Sequence, residues 1–189
     1  MAEPNPVSYH SFFGHQHFSF DRTQGQADFR AAVNRILTRN QLAYELNASS
    51  QVFRLAAPVL HEALTLQTFR TGDAALDELL EAARAKFLNP DPTVRREALE
   101  KLWDAWERTK TLDSPDDKRA SVTTLLNKTA DEPNFREVLE QEAMALTNVG
   151  NRFQIRHAET AQVPLRRNDQ VDYLFHRLFA LIWLVLRAR

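Results

Sequence analysis

The sequence predicts a mainly α-helical protein. A helical bundle is expected over residues 71–189, preceded over residues 1–70 by a small module of one helix and a β-hairpin. Three observations carry this. From residue 73 onward, apolar residues recur at three- and four-residue spacing in successive segments. The apolar period shifts to two over residues 42–56. The composition is 43% hydrophobic with only 4 glycines and 8 prolines in 189 residues, which excludes a disordered, collagenous or low-complexity chain.

Each element follows in order. Residues 1–22 read as irregular, with Phe12, Phe13, Phe18 and Phe20 among three histidines and Phe18-Ser19-Phe20 as a short strand or a segment tucked onto the core. A helix is expected from Gln26, with Phe29, Val33, Ile36 and Leu37 on one side and Asn40 as its stop. Leu42, Tyr44 and Leu46 alternate with other residues, and the turn Asn47-Ala48-Ser49-Ser50 leads to Val52–Leu55, a hairpin. A short helix is expected over 58–68. Asp73 caps a helix carrying Leu76, Leu79, Leu80, Ala83 and Phe87. Asp91 and Pro92 open the next, to about Lys110, with Leu99, Leu102, Trp103 and Trp106 inward. A helix over 117–129 buries Val122, Leu125 and Leu126. Asn134 is read as the cap of another, with Phe135, Val138, Leu139, Leu146 and Val149 apolar and Gly150 as its stop or bend. After a polar stretch, 151–167, Asn168 or Asp169 is read as the cap of a last helix with a wide apolar face from Val171 to Leu186. The three tryptophans lie in strongly periodic segments and read as core.

The formal net charge of −1 hides an uneven distribution. Residues 1–58 balance at +1, residues 59–149 at −6 and residues 150–189 at +4. A basic C-terminal segment suits an anion or nucleic-acid site. Zero cysteines excludes disulfide frameworks, iron–sulfur clusters, thiolate zinc sites and cysteine nucleophiles, and fits the cytoplasm. Met1–Ser11 lacks the apolar run of a secretory signal, so no targeting segment is expected. The longest apolar run, Leu178–Leu186, is far short of the roughly 20 residues that span a membrane. There is no glycine-rich phosphate loop, no Gly-x-Ser-x-Gly elbow and no His-Glu-x-x-His zinc motif.

Chemistry concentrates between Asn148 and Thr160, where Asn151, Arg152, Arg156, His157 and Glu159 fall near an expected helix end. Arginine carries a permanent charge on a planar fork that matches phosphate, and histidine moves protons near neutral pH. Together they form a minimal kit for metal-independent RNA cleavage. On an unbroken helix Arg152 and His157 would face different sides, so a break near Gly150 or a loop after Ile155 is needed to bring them together. The candidate catalytic residues are Arg152, Arg156 and His157, with Asn151, Glu159, Arg166 and Arg167 as candidate substrate contacts. No cofactor is expected.

Two further parts bear on function by resemblance. Val33-Asn34-Arg35-Ile36-Leu37, with the hairpin strands Leu42–Leu46 and Val52–Leu55, resembles the N-terminal domain of bacterial abortive-infection proteins of the AbiJ type. There it precedes a HEPN domain, a four-helix bundle. Arg96-Glu97-Ala98-Leu99-Glu100-Lys101-Leu102-Trp103, the Ile155-Arg156-His157 motif and the final apolar helix look like that HEPN domain. The resemblance covers about residues 26–188 through short motifs. It implies an antiphage or toxin role, with an antitoxin or partner defence protein. It also implies ribonuclease activity in a homodimer, where each subunit brings an arginine and a histidine with four to six residues between them. Arg152 and His157 match that spacing. In active members a polar residue commonly follows the arginine, whereas here Phe153 does, and Arg156-His157 is the alternative pair. Other HEPN domains are inactive and bind RNA or a partner protein.

Two other readings come from the N-terminal part. His15 and His17 on a strand would point the same way, as a metal pair whose nearest carboxylate is Asp21. The helix with its hairpin would suit a winged-helix DNA-binding regulator, with Arg30, Arg35 and Arg39 partly along one side, although this segment's charge is only +1.

Overall fold

The structure is a computed structural model that describes residues 3–40, 42–55, 64, 69–155 and 162–189. The chain divides into two compact units, residues 1–55 and 56–189.

In the first unit, β1 (Glu3–His10) and β2 (His15–Asp21) form an antiparallel hairpin where irregular chain is expected. Its turn is closed by the Gly14 amide donating to the His10 carbonyl at 2.9 Å, with Gly14 at φ +65°. Prolines 4 and 6, and a register irregularity between Pro6 and Ser8, interrupt the alternation that would advertise a strand. The phenylalanines are not tucked onto a core: Phe12, Phe13, Phe18 and Phe20 are all exposed. Helix α1 (Arg22–Arg39) starts four residues earlier than expected, because Asp21 accepts the Gln24 amide at 2.9 Å and caps it. The period of its apolar residues is helical, yet Phe29 and Ile36 lie in solvent.

The short hairpin of β3 (Tyr44–Leu46) and β4 (Val52–Arg54) is pinned to α1 by one side chain. The Asn34 amide donates to the Leu46 carbonyl at 3.1 Å and its oxygen accepts the Leu46 amide at 2.8 Å. Among the described residues of this unit, Gly25 is the one that is fully buried.

The second unit holds five helices among its described residues: α2 (Ala74–Phe87), α3 (Pro92–Thr109), α4 (Lys118–Thr129), α5 (Pro133–Arg152) and α6 (Asn168–Arg187). The expected helix at 58–68 lies outside the described residues, apart from a buried, helical Leu64. Asp73, Asp91 and Asp117 cap α2, α3 and α4 by accepting amides of the first turn. Two expected caps shift. Glu132, not Asn134, caps α5 by taking the Asn134 and Phe135 amides, because Pro133 fills the first helical position and needs no partner for its nitrogen. Arg167, rather than Asn168 or Asp169, is the N-cap of α6.

The core belongs to the helices α3 and α6. Leu99, Leu102, Trp103 and Trp106 of α3 are buried, as are Val171, Leu174, Phe175, Leu178, Phe179, Leu181, Ile182 and Val185 of α6. Phe175, Phe179 and Trp183 recur every four residues and stack along α6, with Phe87 of α2 at 3.7 Å from Phe175 between ring centroids. Leu125 and Leu126 are buried as expected and Val122 is half-buried, whereas Phe135 and Val138 face solvent.

Gly150 does not end α5, which continues to Arg152. A Cβ at Gly150 would come within 2.1 Å of the Trp103 Nε1, so the glycine is there to let the indole lie against the helix backbone. Two-pronged ion pairs tie elements together: Arg177 of α6 to Glu142 of α5 at 2.6 and 2.7 Å, and Arg108 of α3 to the cap Asp73 at 2.6 and 2.8 Å. Among the described residues, no helix is long and apolar enough to cross a membrane.

Candidate functional site

The exposed Asn151 and Arg152 form the last turn of α5. Phe153 leaves the helix in an extended conformation while its amide still donates to the Val149 carbonyl at 3.0 Å. Phe153 then forms a parallel bridge with Val163. The Gln154 amide donates to the Val163 carbonyl at 3.0 Å, and the Val163 amide to the Arg152 carbonyl at 3.1 Å. The Gln162 side-chain amide reaches the Asn151 carbonyl at 3.2 Å. Apolar anchors flank the bridge, since Ile155 and Leu165 are both buried. The Arg96 guanidinium donates to the Leu165 carbonyl.

The residues on either side of 156–161 are thus held together beside Arg152. Arg156, His157 and Glu159 lie outside the described residues. Helix α5 ends at Arg152, with Phe153 extended, rather than at Gly150.

Beyond this pairing, Arg166 and Arg167 are exposed ahead of α6. The Arg167 amide donates to the Gln170 side chain at 3.3 Å, and its guanidinium grips Asp169. That grip holds the Asp169 carboxyl below its usual range and raises the Arg167 guanidinium. Arg167 is thus partly neutralised, while the Arg152 and Arg166 side chains make no ion pair among the described residues.

The histidines of the first hairpin share one face, because His10 is the cross-strand partner of His15 and His17 follows two residues on. Ring centroids are 5.6 Å apart for His10 and His15, and 4.9 Å for His15 and His17. Phe13 stacks on His10 at 4.8 Å. Asp21, the carboxylate considered with them, caps α1 instead. Among the described residues, no group of three or more histidines and carboxylates is arranged to hold a metal ion. The winged-helix arrangement lacks a partner helix, since α1 is the one helix among the described residues of the first unit. His176 is structural: its Nδ1 lies 2.8 Å from the Asp172 carbonyl and Phe87 packs edge-on at 5.1 Å.

A second concave feature has no counterpart in the sequence reading. It is a cavity of about 510 Å³ bordered by the end of α3, by α4 and by α5, with Lys110, Lys118 and Arg119 in its wall. Its residues are spread between positions 110 and 148 with no motif spacing.

The described residues define a mainly α-helical protein: a helical unit in which Phe153 and Val163 pair beside a basic helix end, and a small unit of two hairpins and one helix. No protein-family model, curated protein or solved structure matches the chain.

Proposed function

We propose that the protein is a HEPN-like, metal-independent endoribonuclease of the abortive-infection or toxin type, acting in the cytoplasm as a homodimer under the control of an antitoxin or partner protein. The observation that supports this reading is the pairing of Phe153 with Val163, which joins the residues flanking the Arg156-His157 segment just beyond the end of α5 at Arg152.

Arg152 or Arg156 would hold the scissile phosphate and stabilise the charge that builds on its oxygens. His157 would take the proton from the ribose 2′-hydroxyl as that oxygen attacks phosphorus. The 5′-oxygen then leaves, protonated by the second His157 of the dimer, and the products are a 2′,3′-cyclic phosphate and a 5′-hydroxyl. Asn151, Glu159 and Arg166 would contact the flanking RNA, with Arg167 contributing less because Asp169 engages it.

The test is incubation of the purified protein with mixed RNA in EDTA, beside Arg152→Ala, Arg156→Ala and His157→Ala variants. Cleavage that disappears in His157→Ala, with RNA binding retained, supports the enzyme. RNA binding with no cleavage by the wild type would make the protein a binding module of the inactive HEPN kind. Sedimentation of the wild type reads the dimer directly.

A further inference from the structure

The cavity beside α4 carries an inference that stands apart from RNA cleavage. Lys110, at the end of α3, keeps only 7% of its side chain exposed. Its ammonium donates to Glu107 at 2.6 Å and to the Thr147 hydroxyl at 3.4 Å, and it lies 5.6 Å from the Trp106 ring centre. A buried ammonium is costly unless it is well paired. Glu107, however, also binds Lys118, so one carboxylate serves two cations. Burial alone would raise the Glu107 carboxyl, but the hydrogen bonds from Lys110 and Lys118 outweigh it and hold the group below its usual range.

Arg119, next in the wall, makes no side-chain hydrogen bond or ion pair among the described residues. The one carboxylate lining the cavity, Glu140, is engaged by Arg136. The wall therefore holds three cations against the one carboxylate of Glu140, with Glu107 outside the lining shared between two of the three. Part of the remaining lining is of the opposite kind: beside the polar Thr123, Thr147 and Asn148, the residues Val122, Ala143 and Met144 present apolar surface, and Met144 is 54% exposed. A volume of about 510 Å³ is that of a pocket for a small organic molecule.

We propose that this cavity binds a small organic anion. Its apolar body lies along Val122, Ala143 and Met144, and its carboxylate or phosphate meets Arg119, Lys118 and Lys110. The excess of cations selects the charge, and the apolar wall selects against a bare inorganic ion.

The experiment is calorimetric titration of the full-length protein with phenyl phosphate, benzoate, benzyl alcohol and inorganic phosphate. Tighter binding of phenyl phosphate than of benzoate would identify a phosphate ester as the natural class, and the reverse order a carboxylate. The neutral alcohol and inorganic phosphate should each bind about tenfold or more weakly than the better anion, the loss of one charged or one apolar contact. Arg119→Gln should weaken that anion by about tenfold, and Met144→Trp, which fills the mouth, should remove binding. Both positions are exposed, so melting of the free variants should match the wild type and separate lost binding from lost folding. Equal binding of phenyl phosphate and benzyl alcohol would overturn the proposal. So would wild-type affinity in both variants, or no heat from either organic anion up to about 10 mM.

Discussion

Four phenylalanines between residues 12 and 20 stand in solvent, while Phe69, Phe87, Phe175, Phe179 and Trp183 pack on one another inside the helical unit. The two units thus use aromatic residues in opposite ways. A two-stranded hairpin is a single layer, and it has no second surface in which to bury a side chain. Five helices supply several layers, so a ring at every fourth position of α6 meets another ring. Apolar composition alone does not make a core; the elements must also surround it.

This contrast predicts the largest mutational cost in the helical unit. Trp103→Ala should destabilise the protein by about 3–5 kcal/mol, since it empties a site whose side chain is 1% exposed. Urea denaturation followed by circular dichroism would measure it. A loss below about 1 kcal/mol would mean that the core can collapse around the gap and is less tightly built than the stacking suggests.

Gly150→Ala comes next. The new methyl would meet the buried Trp103 ring, so overpacking should cost about 1–3 kcal/mol despite alanine's better helix propensity. If Gly150→Ala were stabilising, as propensity alone predicts, the close approach of α3 and α5 would be refuted.

A smaller effect is expected at the seam between α2 and α3. Asp73 caps α2 and binds Arg108, whose hydrogen bond lowers the Asp73 carboxyl below its unfolded value. A carboxyl lowered in the folded state stabilises the fold fully above its unfolded pKa and loses that contribution as pH falls through the folded value. Glu107 works in the same direction. Stability should therefore drop below about pH 4, and Asp73→Asn, which retains the cap but loses the charge, should flatten that drop. Asp73→Ala should cost about 1 kcal/mol at neutral pH through the lost cap.

The same physics explains what could be read from the sequence. Asp73 and Asp91 were legible as caps because their signal is local: a short acceptor before an apolar period. Gly150 was misleading because its reason is Trp103, distant in sequence, and no local pattern distinguishes a packing glycine from a stop. The first hairpin was hidden by Pro4, Pro6 and the register irregularity beside them. On α1 the period was right, but a period cannot say that Phe29 and Ile36 face water. At the candidate site, the order of Arg152, Arg156 and His157 was visible and so was the need for a break. The pairing of Phe153 with Val163 was not, because it joins two residues of ordinary character from either side of a polar stretch. The cation-lined cavity was invisible for a similar reason, being assembled from three helices.

The smallest effect tests the other side of the contrast. Phe12 is 86% exposed at the hairpin tip, with Phe13 edge-on to it at 5.0 Å between centroids. Truncating it removes little buried area, so Phe12→Ala should change the unfolding free energy by less than about 0.5 kcal/mol. The aromatic pair contributes little where water reaches both rings. A cost above about 1 kcal/mol, measured by urea denaturation at several protein concentrations, would show that Phe12 is covered in solution. If the cost grew with concentration, the cover would be a second copy of the chain. If it did not, the cover would lie within one chain, and the hairpin would belong to a core after all.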